Sequence, residues 1–450
     1  MSRSASIAIA VIIIILIIAG AAAYMHGGKG TKTTSSSTVS GSTSSGAGTQ
    51  WAGTVKIGMS ISLTGKFATE GHQALCGVLA TIDYYNDHGG VVVNGKHYKL
   101  KLIYYDDKSD KNNIQSLYST LVTKDKVNFL LAPYSSGLTA AAAPIAQQYK
   151  IVMISHGGAS DAIFKQGNKY LVQILTPASK YFASSLELVK EKIPDAKIAF
   201  IWENSAFSNA VMQGAQKYAQ QLGLDVVYKK AYEKGTTDFN GIVSEAKAAG
   251  ANVLIGGGHF QDGQQLVKAA HDLGWHLKFI SILVAPAEPN FANLGKDIVV
   301  GVAAPAQWAP GVKYSPDNVP PGYEWFGPTK QEWLNYFDQA KQKYDVCKNL
   351  EAPAYQAAEA GAAIVWLVKS IETANSLDNT QVRNAMNNLA LYTFFGQLKI
   401  DPNTGLQIGH KMIVIQWQEV NGQLTQVIVY PPSTAQASPL IAPPNWWPSS

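Results

Sequence analysis

Two adjacent serines stand where a buried strand meets an alanine-rich helix in the segment "FLLAPYSSGLTAAAAP". The hydroxyls of Ser135 and Ser136, with the free N–H groups of the first helical turn, can hold a small polar or anionic group. An ordinary N-cap uses the same residue types at the same position. The junction alone therefore leaves two interpretations open, a helix cap and a ligand cradle.

Polar or glycine-rich loops follow several other apolar runs of the chain. In open α/β sheets ligands bind beyond the carboxyl ends of the strands, so we expect loops at these positions to converge. Small and polar residues dominate one group of loops and aromatic residues the other, which is typical of a cleft that encloses a small molecule between two lobes. The loops are residues 62–65, 134–136, 155–160, 202–204 with Phe207, 256–260 and 283–288.

The chain lacks the motifs of common enzyme classes. It has no G-x-S-x-G elbow, P-loop or H-E-x-x-H motif, and "GGGHF" does not complete G-x-G-x-x-G. The nine histidines show no close metal spacing, and Asp106 and Asp107 are typical of a strand-end turn. The net charge of +5 comes from scattered Lys and Arg residues, which argues against nucleic acid as a partner. We expect a binding protein with no cofactor and no metal, not an enzyme.

The first residues indicate an exported protein. Arg3 precedes an uncharged stretch, residues 4–24, that is long enough to cross a hydrocarbon layer of about 30 Å as a helix. We interpret residues 1–25 as a signal or membrane anchor that leaves the body on the outer face of the membrane. Retention is favoured over cleavage because a signal h-region is usually shorter, but both stay open. Residues 26–50 are interpreted as a Ser/Thr-rich stalk, with or without O-linked sugar, and residues 433–450 as a Pro-rich tail.

The remaining chain alternates short β-branched runs with amphipathic segments of helical length. This pattern predicts βαβ units and two doubly wound parallel sheets in tandem, an α/β fold. The first series of strands is "VKIGMSIS", "YKLKLIYYD", "VNFLLAP", "KIVMIS" and "KYLVQIL", and the second is "AKIAFIWE", "LDVVYKK", "ANVLIGGG", "LKFISIL" and "DIVVGVAAP".

Five stretches in one order carry a family resemblance: "IGMSISLTGKFATEGHQALCGVLATIDYYNDHGGVVVNGK", "LKLIYYDDKSDKNNIQSLYSTLV", "NFLLAPYSSGLTAAAAPIAQQYKIVMISHGGASD", "AYEKGTTDFNGIVSEAKAAGANVLIGGGHFQDGQQLVKAAHDLGW" and "FFGQLKIDPNTGLQIGH". Residues 51–432 thereby resemble the substrate-binding proteins of branched-chain-amino-acid-type (leucine/isoleucine/valine-like) ABC importers. An anchored member of this kind suits an archaeal or Gram-positive-like surface.

The resemblance implies a periplasmic-binding-protein type I fold in which the chain crosses between two lobes three times. We place the crossings near residues 176–177, 304–307 and 394–396. Lobe one is then 51–176 and 307–393, and lobe two is 177–306 and 394–432, so that "QLKIDP" and "KMIVIQWQ" belong to lobe two. The implied function is capture of a small ligand and its delivery to an ABC permease and ATPase. A ligand-sensing ectodomain for a signalling partner is the alternative.

The resemblance also assigns candidate ligand-binding residues. It places the Ser136 hydroxyl and N–H on a ligand carboxylate, and Phe207 where the family often has a stacking tyrosine. The adjoining loop contacts are Tyr134 and Ser135, the backbone contacts are Gly157, Gly158 and Ala159 with Ser160 beside them, a second-lobe position is Gly258 with His259, and the possible cleft rim is Glu70, Trp202, Leu283 and Trp308.

One departure from the family concerns charge. Amino-acid binders need a carboxylate in lobe two for the ligand ammonium, but residues 282–285 read Ile-Leu-Val-Ala. The nearest alternatives are expected to be solvated rim charges, namely Glu70, Asp161, Glu203, Asp262 and Glu288. A neutral amide, a urea-like compound or an aromatic or short-chain carboxylate therefore suits this cleft better than an α-amino acid.

Two further features leave alternatives open. The Pro- and Trp-rich residues 304–333 have no obvious family counterpart and are expected to form an ordered loop on the hinge side of the cleft. Its Trp308, Tyr323 or Trp325 are either ligand walls or packed surface aromatics. Cys76 and Cys347 either form a disulfide or remain two buried thiols.

Overall fold

The computed structural model describes residues 49–447. The predicted anchor and residues 26–48 of the predicted stalk lie outside the described residues. Among the helices of the described range, none combines the length and the apolar composition needed to cross a bilayer. The described residues fall into one compact unit.

Two large sheets and one small sheet organise this unit. A six-stranded sheet has the order β2-β3-β1-β4-β5-β6, and a seven-stranded sheet has the order β16-β15-β11-β10-β9-β7-β8. A three-stranded sheet has the order β12-β13-β14. The strands are β1 Trp51–Ile61, β2 Val91–Val93, β3 Lys96–Asp106, β4 Phe129–Leu131, β5 Met153–Ser155, β6 Leu171–Gln173, β7 Lys197–Glu203, β8 Asp225–Tyr232, β9 Val253–Gly257, β10 Phe279–Ile282, β11 Val302–Ala306, β12 Glu324–Trp325, β13 Leu391–Thr393, β14 Gly396–Leu398, β15 Ile413–Val420 and β16 Gln423–Tyr430.

Helices cover both faces of the two large sheets. They are α1 Ala68–Asp87, α2 Lys111–Thr123, α3 Ser136–Tyr149, α4 Asp161–Phe164, α5 Ala183–Lys192, α6 Ala206–Gln221, α7 Asn240–Ala248, α8 Phe260–Asp272, α9 Lys296–Val299, α10 Lys330–Lys343, α11 Tyr355–Ala374 and α12 Asn379–Met386. Because the central strands are covered on both sides, β4, β5, β9 and β10 are buried at every residue. This confirms the predicted α/β class with two parallel-sheet lobes.

Each large sheet has a point where the strand order reverses. In the first sheet β1 pairs with β3 on one side and with β4 on the other, both in parallel. In the second sheet β7 pairs with β8 on one side and with β9 on the other, again in parallel. The connections that follow the two neighbouring strands at such a point, β1 and β4 or β7 and β9, run to opposite sides of the sheet. They open a crevice at the carboxyl ends of these strands. The loops after β1, β4, β7 and β9 therefore border the two crevices.

Hydrogen bonds tie together the segments that run between the lobes. Gln307 accepts from the Thr176 N–H at 3.0 Å, and its carbonyl accepts from His410 Nε2 at 2.8 Å. The Gln407 amide donates to the carbonyl of Ile174 at 2.9 Å. Side-chain amides thus link all three segments, which keeps the hinge region ordered while its backbone stays irregular.

The expected third crossing near residues 394–396 is wrong. β14, which contains the start of "QLKIDP", pairs with β13 in the small sheet, and its Leu398 packs with Ile400 in the first core. The chain enters the second sheet only with β15, which pairs antiparallel with β11. The small sheet forms because residues 304–333 contribute β12, so the long loop holds "QLKIDP" on the first lobe.

The first lobe is closed by a contact between two long helices. Gly77 of α1 faces α11 so closely that an added Cβ would lie 1.9 Å from the carbonyl oxygen of Ala357. A disulfide between Cys76 and Cys347 lies beside this contact, with Cα atoms 5.7 Å apart and both side chains fully buried. The close contact sets α1 against α11, and the disulfide ties α1 to the connection between α10 and α11. Both α1 and α11 carry carboxylates into the cleft.

Loss of the disulfide is expected to destabilise the protein. The bond spans 271 residues, so removing it restores much chain entropy to the unfolded state. The double variant Cys76→Ala/Cys347→Ala should lower the free energy of unfolding in urea by about 2–5 kcal/mol. Wild type in dithiothreitol is the control and should approach the variant; an unchanged urea midpoint in both would contradict the prediction.

Candidate ligand-binding site

Ser136 lies at the junction that the sequence singled out. Its Oγ accepts from the N–H groups of Ala159 and Ser160, each at 3.1 Å. The neighbouring Ser135 caps α3 by accepting from the Leu138 N–H at 3.4 Å, and it does so at a φ of 79°. A non-glycine residue at positive φ is uncommon and such strain gathers at functional sites. Since Ser136 Oγ accepts twice, its O–H is the group left to donate into the cleft.

Glycines let the two loops of the first lobe pack together. A Cβ on Gly157 would lie 2.7 Å from the Tyr134 ring, and one on Gly158 would lie 2.5 Å from the Thr139 hydroxyl. Gly158 also donates its N–H to Ser155 at 3.1 Å. The loop after β5 is thereby held against the N-terminus of α3.

The cleft between the lobes has an outer pocket and an inner void. The outer pocket, of about 170 Å³, is lined by residues of both lobes: Lys66, Phe67, Ser109, Lys111, Ser135, Ser136, Gly137, Leu138, Glu203, Ser205, Ala206, Phe207, Lys234 and His259. The inner void, of about 10 Å³, is about the size of one water and is lined by Tyr134, Gly157, Leu175, Tyr181, Phe207, His259, Tyr355 and Glu359. Phe207 and His259 border both, so the two spaces are adjacent.

His259 is the centre of an aromatic cluster that joins the lobes. Its ring centroid lies 4.6 Å from that of Phe67, 6.0 Å from that of Tyr134 and 5.5 Å from that of Phe207. Tyr181 packs edge-on against Phe207 at 5.2 Å. Burial lowers the pKa of His259 well below its usual value, because an imidazolium here would lose its hydration. The imidazole is therefore neutral at pH 7.

Carboxylates surround this cluster, and the expectation that they are solvated rim charges is wrong. Glu70, Glu203, Asp262 and Glu288 are all buried. Glu70 bridges the lobes because its Oε1 accepts from the Phe260 N–H at 3.2 Å. The closed arrangement of the lobes removes these side chains from water. Only Asp161 stays partly exposed, where it accepts from the Ser179 hydroxyl at 2.8 Å.

Lys66 spans the cleft at its outer edge. It extends from the loop after β1 to an ion pair with Glu203 in the second lobe, and it lies 3.4 Å from Asp262 Oδ1. Asp262 also accepts from the Tyr232 hydroxyl at 2.6 Å. One cation thus partners two buried carboxylates.

Burial raises the pKa of three further carboxyls in the cleft. The pKa of Glu70 rises to about 7, chiefly by desolvation. Desolvation also raises the pKa of Glu288 well above its ordinary value, and the charge of Glu70 adds to this. The pKa of Glu359 rises for the same reason, with Glu288 as the second cause. The charge of Glu70 thus disfavours ionisation of Glu288, and the charge of Glu288 disfavours ionisation of Glu359.

The structure brings most of the predicted site residues together. Tyr134, Ser135, Ser136, Gly157, Phe207 and His259 line the cleft. Gly158, Ala159 and Ser160 lie directly behind Ser136 and Gly157 through the contacts given above. Gly258 packs where an added Cβ would lie 2.5 Å from Asp262 Oδ2. Glu70 is inside the cleft instead of on its rim.

Three predicted rim residues lie elsewhere. Trp308 is buried in the first core, where its indole N–H donates to the Phe394 carbonyl at 3.0 Å, so its assignment to the rim is wrong. Leu283 is buried in the core of the second lobe. Trp202 is half-buried and donates to Asn209 Oδ1 at 2.8 Å. Trp325, which was predicted as a possible ligand wall, packs on Tyr392 in the small sheet. None of these side chains lines the two spaces described above.

Sequence reasoning missed several cleft residues, among them Lys66, Tyr181, Tyr355 and Glu359. Tyr355 and Glu359 are spaced four apart at the start of α11, so they share one face of the helix. Glu359 interrupts the apolar run "AAEAGAAIVWLV", and a glutamate within such a run is a signal that could have been used. Lys66 and Tyr181 carry no comparable local signal.

A larger cavity of about 600 Å³ lies beside the hinge. It is lined by the hinge residues Thr176 and His410 and by Tyr314 of the long loop. None of the predicted ligand-binding residues borders it. The cleft at the strand-order reversals remains the candidate site because it combines convergent loops, buried charge and contributions from both lobes.

Comparison with known proteins identifies the family to which the chain belongs. The profile of the periplasmic binding protein family matches residues 54–423. The chain belongs to this family. Its members are extracytoplasmic solute-binding proteins, and this periplasmic binding protein has the two-lobed α/β fold that they share.

Relatives by sequence are amino-acid-binding proteins. The chain is 23% identical over 368 residues to the leucine-, isoleucine-, valine-, threonine-, and alanine-binding protein of Pseudomonas aeruginosa, covering 82% of this chain and 91% of that protein. It is 27% identical over 252 residues to the Leu/Ile/Val-binding protein homolog 1 of Brucella abortus, covering 56% of this chain and 66% of that protein. The match thus spans just under two thirds of the Brucella relative.

Solved structures of similar fold hold different ligands. The solute-binding protein of an R. palustris ABC transporter in complex with 4-hydroxybenzoate has a TM-score of 0.69 at 19% identity, covering 84% of this chain and 96% of that one. LivJ of Streptococcus pneumoniae in complex with isoleucine has a TM-score of 0.66 at 19% identity, covering 84% and 100%. The leucine-binding protein LivK of Thermotoga maritima has a TM-score of 0.68 at 20% identity, covering 84% and 99%.

Glu70 is expected to make stability depend on pH. Its pKa is raised from 4.5 to about 7, so its contribution is present below pH 4.5 and is lost as pH rises through 7. Glu70→Gln cannot ionise and should keep the Phe260 contact. We therefore expect the melting temperature of the variant minus that of wild type to increase from pH 5 to pH 8. The nearby Lys66 and Asp262 are unchanged in both proteins, and a pH-independent difference would contradict the assignment.

Lys66→Met is expected to weaken the closed form. The change leaves Glu203 and Asp262 buried without their cation, which should cost about 1–3 kcal/mol in urea unfolding after allowance for the partial exposure of the lysine. Lys268→Met is the matched control, because its partner Asp272 is exposed. The control should change stability by less than about 0.5 kcal/mol. Equal effects of the two substitutions would contradict a structural role for the bridge across the cleft.

Proposed function

We propose that this protein is the extracytoplasmic solute receptor of an ABC importer. It captures a small molecule between its two lobes and presents it to a membrane permease and its ATPase. The observation that carries the proposal is the meeting of four strand-end loops, two from each sheet, around one cleft at the strand-order reversals. The protein binds and releases its ligand without chemical conversion.

The polar head of the ligand binds at the N-terminus of α3. Ser136 offers its O–H, Gly137 lies at the first turn of the helix, and the helix dipole favours negative charge there. Lys66, Lys111 and Lys234 line the same pocket. Tyr134, Ser135, Gly157, Gly158, Ala159 and Ser160 form the walls that hold this cradle, and Phe207, Gly258 and His259 close it from the second lobe.

A carboxylate is the head group that fits this cradle. Leucine, isoleucine and 4-hydroxybenzoate, the ligands named for the relatives and similar structures, all carry one. The positive charge around the N-terminus of α3 matches the carboxylate that these ligands share, and it does not select among the remaining parts of the ligand.

Ligand drives closure only through contacts that the open form lacks. In the closed form described here Glu70 meets Phe260 and Lys66 meets Glu203, so the lobes make polar contacts across the cleft. We propose that closure forms the surface recognised by the permease. Residues 1–25 attach the receptor to the outer face of the membrane in this proposal.

Removal of the Ser136 hydroxyl tests the cradle. Ser136→Ala loses the donor to the ligand head and leaves the N–H groups of Ala159 and Ser160 without their acceptor, so affinity for carboxylate ligands should fall at least about tenfold. Isothermal titration of the full chain with leucine, isoleucine, 4-hydroxybenzoate and basic amino acids provides the measurement. Ser116→Ala, on the exposed face of α2, is the control. Failure of every compound to bind, or full affinity in Ser136→Ala, would contradict the proposed function.

A further inference from the structure

The inner void is walled by rings and one carboxyl. Tyr134, Tyr181, Phe207 and Tyr355 surround it together with His259, and Glu359 is the acidic side chain that lines it. Glu359 is 1% exposed, and within the described residues neither of its oxygens has a hydrogen-bond partner. A buried carboxyl with both oxygens unmatched is costly, so this site is incomplete without a further group.

Two more carboxyls approach the same region with unmatched oxygens. Glu288 comes from the second lobe and Glu70 from α1 of the first. Oε1 of Glu288 and Oε2 of Glu70 have no hydrogen-bond partner in the part of the chain that is described. His259 Nδ1 lies 3.8 Å from Oε1 of Glu70, beyond hydrogen-bond distance. The unmatched acceptors therefore come from both lobes, and Glu288 lies close enough to Glu70 and to Glu359 for the charges to influence one another.

The protein supplies little positive charge to this inner region. Lys66 is engaged at the outer edge by Glu203 and Asp262. Neutral His259 does not offset a carboxylate either. The acceptors around the void thus call for hydrogen-bond donors and positive charge from a bound molecule.

The cleft is polarised along its length. Besides the Lys66–Glu203 ion pair, the outer pocket has Lys111, Lys234 and the N-terminus of α3, whereas the inner void has Glu359 with Glu288 and Glu70 near it. A molecule that matches both ends carries its carboxylate outwards and its positive charge inwards. The aromatic walls add to this preference, because the faces of tyrosine and phenylalanine rings attract organic cations.

A purely apolar inner end would not match the void. The aliphatic side chain of leucine or the ring of 4-hydroxybenzoate would pack on the aromatic walls, yet it would leave Glu359 without a charged partner. A hydroxyl could donate one hydrogen bond but brings no charge. The inner half of the cleft thus discriminates against the ligands named for the similar proteins.

We propose that the ligand is an amino acid whose positive charge lies away from its carboxylate, and that this cationic end enters the aromatic void and pairs with Glu359, with Glu288 contributing from the opposite lobe. This inference rests on the proposed function and specifies its ligand class. Side-chain-ammonium and terminal-ammonium acids have the required chemistry, because an ammonium group is about the size of the one water that fits the void. Because the charge is recognised by both lobes, the same contact that selects the ligand also favours closure.

Isothermal titration of the full chain in mild detergent with matched pairs of compounds tests the ligand class. The pairs are L-lysine with L-norleucine and 4-aminobutyrate with pentanoate, each differing at the distal ammonium group. We expect the charged member of at least one pair to bind at least tenfold more tightly than its uncharged partner and than leucine or 4-hydroxybenzoate. Tighter binding of the uncharged compounds overturns this inference but keeps the receptor, whereas no binding by any compound overturns both.

Glu359→Gln tests the assigned partner. The substitution keeps the shape of the side chain and removes its charge, so affinity for the charged compound should fall at least tenfold while affinity for its uncharged partner stays within about twofold. Glu372→Gln is the matched control, since it lies on the same helix and accepts from the Val92 N–H outside the cleft. Glu288→Gln provides a second variant with the same expectation as Glu359→Gln. Unchanged affinity in both cleft variants overturns the inference.

The stability of the empty variant separates binding from folding. Glu359→Gln relieves a buried carboxyl that has no partner, so its melting temperature without ligand should equal or exceed that of wild type. A variant that loses the charged ligand while keeping its melting temperature supports the pairing. A variant that loses ligand and melting temperature together shows a structural role for Glu359 and overturns the proposal.

Discussion

Carboxylates that are removed from water need partners, and this requirement governs the whole cleft. Closure buries five acidic side chains between two sheets whose strand ends face each other. Lys66 satisfies two of them and the Phe260 N–H satisfies part of a third. The remaining charge is too costly for the protein to hold alone, since desolvation of an unpaired carboxylate outweighs any packing gain of similar area.

The rest of the architecture serves to bring these groups together. The α1–α11 contact at Gly77 and the disulfide beside it place Glu70 and Glu359 in one lobe, while the loop after β10 brings Glu288 from the other. The amide network at the hinge links the crossings without regular structure. In the proposed mechanism the lobes rotate about these crossings while the pairing of strands within each sheet is kept. In the same mechanism an empty closed form is disfavoured by its own carboxyls, and this gives a ligand the differential affinity that closure requires.

The sequence predicted the strands and the Ser136 junction well because parallel strands buried on both faces leave continuous apolar runs. The loops at the carboxyl ends of these strands could be located from the order of strands and helices along the chain alone. Glu359 and Tyr355 could not be assigned, since their role depends on helix packing between residues about 280 apart along the chain. The same limit explains the errors at "QLKIDP" and Trp308: both depend on the small sheet that the long loop completes. The acidic side chains of the cleft were expected to be solvated because Asp and Glu are exposed in most proteins. Contact between the two lobes buries them instead.

A crystal structure of the protein with its bound ligand measures the central contact directly. If the ligand completes the buried charge, a nitrogen of the ligand lies about 2.7–2.9 Å from a carboxylate oxygen of Glu359, and its carboxylate lies at the N-terminus of α3. A ligand that meets Glu359 only through carbon atoms, or that places its carboxylate in the inner void, would contradict this account.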